Sequence, residues 1–259
     1  MQNRLRQQLQ RKETTYGIWV TVESPTVTEV AAAMGLDWVC IDMEHGHQDF
    51  REVIDHLRAV RGSETCLLAR VPDFQWSYIK RALDMGAHGV IVPYVQTAED
   101  VETAIRYGKY PPRGVRGVGG DRCVHWGLGF QEYLTTADAE TLIIPIIETR
   151  AAYENIDSIL EVPDLEALFF GPADFSASHG YLGEWEGPGM AERILEVKAK
   201  AEAKGIATGI SARNIPDSLH RRDQGFHLIN LGADMSLLIR ALKENLAALG
   251  QDVTPKLLF

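Results

Sequence analysis

Cysteine is scarce and odd in number: Cys40, Cys66 and Cys123 are the only three in 259 residues. No two stand at metal-ligand spacing, which excludes a disulfide scaffold and a cysteine-based zinc site and points to small core residues in a reducing compartment. Positive charge is in deficit, with 26 Lys and Arg against 36 Asp and Glu and a formal net charge of −10. That balance argues against nucleic acid or an anionic membrane surface as the main partner. No apolar run approaches the roughly 18 residues a membrane helix needs. The opening MQNRLRQQLQRKE is charged and polar where a leader would have an apolar centre, so the expectation is a cytoplasmic protein. Repeats, linkers and low-complexity segments are also lacking, and the economical reading is one domain spanning 1–259.

What is present is an alternation. After a leading helix, strands are predicted over Gly17–Val22, Asp37–Asp42, Thr65–Arg70, Gly89–Pro93, Leu142–Ile147, Leu165–Phe170, Ala207–Ile210 and His227–Leu231. Helical patterns intervene at 25–34, 49–60, 75–85, 98–107, 190–204 and 215–224, and a last helix runs over 234–249. Eight strands alternating with helices at this length predict an α/β fold, a (β/α)₈ barrel with its active site at the strand C-terminal ends. An open doubly wound sheet is the rival, but no G-x-G-x-x-G opens a helix after an early strand. The stretch 110–129, glycine-rich and carrying Pro111-Pro112, is too long for a mere connection and is expected to be a lid whose Arg113, Arg116 and Arg122 meet an anionic substrate or a subunit interface.

Barrel geometry turns a linear list into a constellation. Strand two delivers Asp42, Glu44, His45 and His47, strand three Arg70, strand five Glu148, strand six Asp174, and strand seven Ser211 and Arg213. Glu148 and Asp174, each alone, are also what a helix start favours. Together at one mouth they suit Mg²⁺ or Mn²⁺, leaving coordination positions open for a chelating substrate. Arg70 has a planar head that forks onto a carboxylate or a developing oxyanion, or closes a rim salt bridge. His45 is the natural proton carrier near neutrality, or a turn residue.

Three other readings are open. A Schiff-base aldolase needs a lysine at a strand end, and every lysine from Lys12 to Lys256 falls in a helix, loop or tail. A barrel hydrolase would use His45 and His47 as zinc ligands but wants further histidines, and His179 lies too far downstream of strand six. A non-catalytic binding or scaffold barrel would leave the acids as helix caps.

Blocks in order along most of the chain, YGIWV at 16–20, GLDWVCIDMEHG at 35–46, LLARVP at 67–72, ALDMGAHGVIVP at 82–93, YPPRGVRGVG at 110–119, IIETRAA at 146–152 and FFGPADFSASHG at 169–180, resemble the HpcH/HpaI family of class II pyruvate aldolases. That family includes 4-hydroxy-2-oxoheptanedioate and 2-dehydro-3-deoxyglucarate aldolases. The resemblance implies a lyase that reversibly cleaves a 4-hydroxy-2-oxo acid to pyruvate, or a close 2-oxo acid, and an aldehyde. It implies a homohexamer, a trimer of dimers with the last helix exchanged between paired subunits. It assigns Mg²⁺, Mn²⁺ or Co²⁺ to Glu148 and Asp174, and contact with the 2-oxo acid to the backbone of Gly171, Pro172 and Ala173. His45 matches the family's base, Arg70 its enolate stabiliser, and Asp84 an acid that raises the basicity of the histidine. Asp84 ends a helix before strand four, so it is expected at the far end of its own barrel and within reach only of a neighbouring subunit's site. Ile146 stands where the family commonly has a glutamine that touches substrate or water, and His47 where it often has proline, so substrate specificity does not transfer.

Overall fold

Short runs of β-branched and other apolar residues, each bounded by turn residues, form the strands: β1 Thr15–Val20, β2 Trp38–Asp42, β3 Cys66–Arg70, β4 Gly89–Val92, β5 Leu142–Ile147, β6 Ala167–Phe170, β7 Ala207–Ser211 and β8 Leu228–Ala233. In the computed structural model, which describes residues 2–255, these eight pair in parallel and in chain order, and β8 returns to β1 to close a barrel. Helices α1 Arg4–Gln10, α2 Pro25–Ala33, α3 Phe50–Ala59, α4 Trp76–Asp84, α5 Ala98–Gly108 and α6 Phe130–Glu140 come before β5. After it come α7 Arg150–Glu154, α8 Ile156–Ile159, α9 Pro172–Ser178, α10 Met190–Ala203, α11 Ile215–Asp223 and α12 Asp234–Ala248. Local chemistry starts several of them. Asp49 with Glu52 and Thr97 with Asp100 form reciprocal capping boxes, and α2, α9 and α11 carry proline in the first turn.

The core divides by strand parity. Trp38, Cys40, Leu68, Ile91, Ile144, Ile146 and Phe169 point inward and pack with Leu5 and Leu9 of α1, which closes the barrel's N-terminal end. Their neighbours Val39, Ile41, Leu67, Val90, Ile147 and Phe170 point outward against the helices. Continuing the inward parity by two residues along β2, β3 and β5 brings Asp42, Arg70 and Glu148 to the mouth. Cys40 and Cys66 are buried in strands, and all three cysteines are free.

Three expectations need correction. Strand one is Thr15–Val20, two residues earlier than read, because the carboxylate of Asp234 takes the backbone N–H of Thr21 at 2.9 Å and of Val22 at 3.1 Å and ends the ladder. Helix α6 was not anticipated, and α9 only as a helix start at Asp174 with no range given. The stretch 110–129 joins α5 to α6 on the way back to β5 and so lies at the N-terminal end of the barrel, opposite the mouth, where its own chain cannot use it as a lid. It is pinned there by Arg116, a buried guanidinium that donates to Asp84 at 2.9 Å and Tyr133 at 3.1 Å and lies over the ring of Tyr110. Lys256 falls outside the described residues.

Candidate active site

The mouth is organised by Asp42, a carboxylate that is 2% exposed. Its Oδ1 accepts the backbone N–H groups of Glu44 at 3.1 Å and His45 at 3.2 Å, which folds the chain after β2 into a tight turn. Gly46 is needed there, since a Cβ would meet the carbonyl oxygen of Asp42 at 2.2 Å. The same carboxylate receives a fork from Arg70, with Nε at 2.9 Å from Oδ1 and Nη2 at 2.5 Å from Oδ2. The guanidinium rests over the ring of Trp19, 4.6 Å from its centroid. Burial opposes the charge on Arg70, and the hydrogen bonds and charge of Asp42 outweigh it. With two N–H groups committed to Asp42, the remaining donors of Arg70 are available to Glu44 and to a ligand.

Glu148 follows β5 and is 6% exposed. Its Oε1 accepts the backbone N–H of Tyr94 at 2.6 Å. Tyr94, directly after β4 and Pro93, is held at φ 58°, a left-handed conformation that a bulky residue adopts at a cost. Gly171 leaves room for the other oxygen, because a Cβ there would come within 2.9 Å of Glu148 Oε2. Burial, with the negative charges of Glu44 and Asp174 adding to it against the Tyr94 hydrogen bond, pushes the Glu148 carboxyl up to about 7. Asp174 sits in the first turn of α9, so the helix-start reading and the site reading hold for it together.

Two cavities meet at this pair. A small one of about 100 Å³ is lined by Trp19, Arg70, Ile146, Gly171, Pro172, Ala173, Trp185 and Ser211 together with Glu148 and Asp174. A wider chamber of about 380 Å³ is lined by Glu44, His45, Tyr94, Gln96, Thr149, Ala151 and Ser178, again with Glu148 and Asp174. Ile146 is an inward layer residue directly below Glu148, 2% exposed, so it gives the small cavity an apolar wall.

A divalent cation fits this donor set. Glu44 Oε2 is a buried oxygen without a hydrogen-bond donor, since Arg70 Nη1 lies 3.0 Å away but out of line. Burial likewise raises the Glu44 carboxyl. Two uncomfortable carboxylates beside a third are what a hard cation relieves. Among the described residues no three His, Cys, Asp or Glu side chains converge as a complete metal site, so Glu148 and Asp174 would supply a partial shell.

The other sequence candidates separate clearly. His45 is two-thirds exposed at the chamber edge, its Nε2 3.8 Å from Glu44 Oε2. Asp84 is not in the mouth of its own chain; it lies at the N-terminal end, bound by Lys80 at 2.7 Å and by Arg116. His47 is exposed and lines neither cavity, and His179 is packed on Phe175 with Nδ1 2.7 Å from its carbonyl oxygen. The histidine set for a zinc hydrolase is therefore not assembled. Arg213 pairs with Asp217. Sequence reasoning gave no role to Asp42, Trp19, Tyr94 or Gln96. Strand parity signals Asp42 and Trp19, and position directly after a strand signals Tyr94.

A family model described as HpcH/HpaI aldolase/citrate lyase matches residues 15–241. A 4-hydroxy-2-oxovalerate aldolase from Novosphingobium aromaticivorans is 36% identical over 242 residues, covering 90% of this chain and 92% of its own. A hydroxypyruvate/pyruvate aldolase from Roseobacter denitrificans is 34% identical over 244 residues, covering 93% and 94%. The crystal structure of an HpcH/HpaI aldolase/citrate lyase family protein from Burkholderia cenocepacia superposes with a TM-score of 0.91 at 34% identity, over 96% of this chain and 100% of that one.

Proposed function

This chain belongs to the HpcH/HpaI aldolase/citrate lyase family, and from that premise we propose that it is a divalent-metal-dependent aldolase, a carbon–carbon lyase that reversibly cleaves a 4-hydroxy-2-oxo acid to pyruvate, or a close 2-oxo acid, and an aldehyde. The observation that carries the reading is the position of Glu148 and Asp174, shared by a small cavity containing Arg70 and a wider one containing His45. One compartment suits the 2-oxo acid and the other the aldehyde, with the breaking bond between them.

Glu148 and Asp174 would hold Mg²⁺, Mn²⁺ or Co²⁺. Bound there, the cation supplies Lewis acidity at the keto group of the substrate. The chain's own residues do the rest. Arg70 binds the acid end, and its fixed charge neutralises the enolate that develops as the C3–C4 bond breaks. The backbone from Gly171 to Ala173 lines the acid compartment, and Ile146 with Trp19 excludes water from it. His45 takes the proton of the 4-hydroxyl, so that the C4 carbon leaves as an aldehyde and the bond pair passes into the enolate. Return of a proton to C3 gives the methyl group of pyruvate. Asp42 does not react; it positions both Arg70 and the turn bearing His45.

We infer assembly as a homohexamer, a trimer of dimers with α12 exchanged, in which Asp84 serves the histidine of a neighbouring copy. Apolar residues left exposed along α12, Leu238, Ile239 and Leu242, support the exchange. No helix among the described residues is long and apolar enough to cross a membrane.

The test is a metal-replacement assay. Protein stripped with EDTA and restored with Mn²⁺, Mg²⁺ or Co²⁺ is expected to release pyruvate from at least one of a panel of 4-hydroxy-2-oxo acids, and the stripped protein from none. Inactivity throughout, with no metal retained in solution, would favour a non-catalytic binding barrel.

A further inference from the structure

The loop 179–189, which joins α9 to α10, is pinned at three successive residues. The hydroxyl of Ser176, a fully buried side chain of α9, donates to the carbonyl oxygen of Trp185 at 3.4 Å and accepts the N–H of Gly187 at 2.8 Å. Between those two, Glu186 places both carboxylate oxygens 2.7 Å from Nη2 of Arg221 on α11. Arg221 is itself buried, and its Nε donates to Asp217 at 3.0 Å. Gly187 lies against the ring of Tyr181, where a Cβ would come within 2.4 Å. Ordering a loop this closely costs conformational entropy. What it fixes is the indole of Trp185, which lines the small compartment beside Trp19, Arg70 and Ile146.

That indole carries an N–H with nothing to meet. Trp185 Nε1 is buried and has no hydrogen-bond partner among the described residues. Trp19, the other indole of the compartment, is the contrast, because its Nε1 donates to Ser211 Oγ at 3.4 Å. Ser211 Oγ also accepts from Asn230 at 3.1 Å, so both of its lone pairs are used and its own proton is a second donor without a partner among the described residues. The compartment is thus walled by carbon and by donors, apart from the carboxylates of Glu148 and Asp174. A buried donor left unpaired is costly, and a loop that holds one in place beside a substrate compartment is explained by an acceptor that arrives with the substrate. A 2-oxo acid brings such acceptors in its carboxylate and keto oxygens.

We propose that Trp185 is a substrate-binding residue of the small compartment, its indole N–H donating to an oxygen of the bound 2-oxo acid, and that Glu186 and Arg221 are the residues that position it. This rests on the aldolase reading. Glu186 and Arg221 line neither cavity and act only through the loop.

The experiment uses Mg²⁺-loaded protein labelled with [15N]tryptophan, and oxamate, an isostere of pyruvate. The indole N–H resonances are recorded with and without oxamate, that of Trp185 being identified by its loss in Trp185→Phe. It is expected to move downfield on binding, as an N–H that gains an acceptor does, while that of Trp38, already bonded to Thr15, stays. Trp185→Phe keeps an aromatic wall and deletes the donor, so calorimetry is expected to show oxamate bound about tenfold more weakly, the effect of one hydrogen bond to a charged group. KM for pyruvate in condensation should rise in step with kcat little changed, the pattern of binding lost equally from ground and transition states. Glu186→Ala is expected to give part of the same loss, and Glu186→Gln, which still accepts from Arg221, to recover most of it. A stationary Trp185 resonance with oxamate bound, or unchanged affinity in Trp185→Phe, would overturn the proposal and leave the aldolase reading intact. Unchanged affinity in Glu186→Ala would overturn the positioning role. Failure of oxamate to bind wild-type protein that holds Mg²⁺ would overturn the aldolase reading itself.

Discussion

At the scale of single residues, the mouth is a balance of four acids, Asp42, Glu44, Glu148 and Asp174, against one arginine, and two of its charges respond to substitution in defined directions. Replacing Arg70 by alanine removes the fixed charge facing the enolate, and kcat is expected to fall by roughly 10²–10³, as for one lost oxyanion donor. Lysine should restore little of it, because a point charge cannot fork onto Asp42 while donating to substrate. Steady-state kinetics of both variants check this, and full activity in Arg70→Ala would remove the assigned role. Glu148 gives a pH prediction. Its carboxyl is raised to about 7 in the folded protein, so between the ordinary carboxylate range and pH 7 the folded state keeps a proton that the unfolded chain releases. The group's contribution to stability is therefore full at acid pH and declines as pH rises through that window. In EDTA, Glu148→Gln is expected to melt with wild type near pH 4 and above it at pH 8, and affinity for Mn²⁺ should rise with pH through 7. Melting curves and metal titrations at several pH values decide both. Glu148, Asp174, Arg70 and His45 were legible as types at strand ends, but the role of Asp42 was not. It lies in hydrogen bonds made in three dimensions to Arg70 and to the turn after β2, and spacing does not encode those.

At the scale of elements, the eight strands were legible because each is a brief apolar run between turn residues, and alternation with helices leaves few topologies to choose from. Boundaries were less so. The end of β1 is set by Asp234, more than two hundred positions away, which binds the N–H groups of Thr21 and Val22 and the hydroxyl of Thr21 at 2.7 Å. Asp234 is also the first residue of α12, so it ties the last helix to the first strand. Asp234→Ala is expected to cost about 1.5–3 kcal/mol, the range for hydrogen bonds to a charged group, measured by denaturant titration. A loss below about 0.5 kcal/mol would mean that water replaces the carboxylate. Helix α6 escaped notice because its buried residues, Tyr133 and Ala137, follow a glycine-rich stretch and contact that stretch rather than the main core. The 110–129 segment was misassigned as a lid on length alone. Chain order was enough to place it, since a helix-to-strand connection returns to the N-terminal end of a barrel.

At the scale of the whole molecule, α12 is an element whose only buried residue is Asp234. Leu238, Ile239 and Leu242 are about half exposed, and Val30 of α2 with Met34 just after it continue the apolar surface. A surface of this kind on an acidic protein predicts self-association. Light scattering after size exclusion should give a hexamer, and Leu238→Lys with Leu242→Lys should give smaller species that retain the barrel's circular dichroism. A monomeric wild type would refute the exchanged-helix assembly. The parity that carries Asp42, Arg70 and Glu148 inward has one more consequence, for how the chain tolerates change in length. Deleting one residue within β5 would turn Ile147 into the mouth and Glu148 toward the helices, since each step along a strand reverses its face. Insertions beyond the strand ends leave that phase untouched. The reading frame of the mouth is thus written in the strands, and the chain is open to lengthening only in the loops above them.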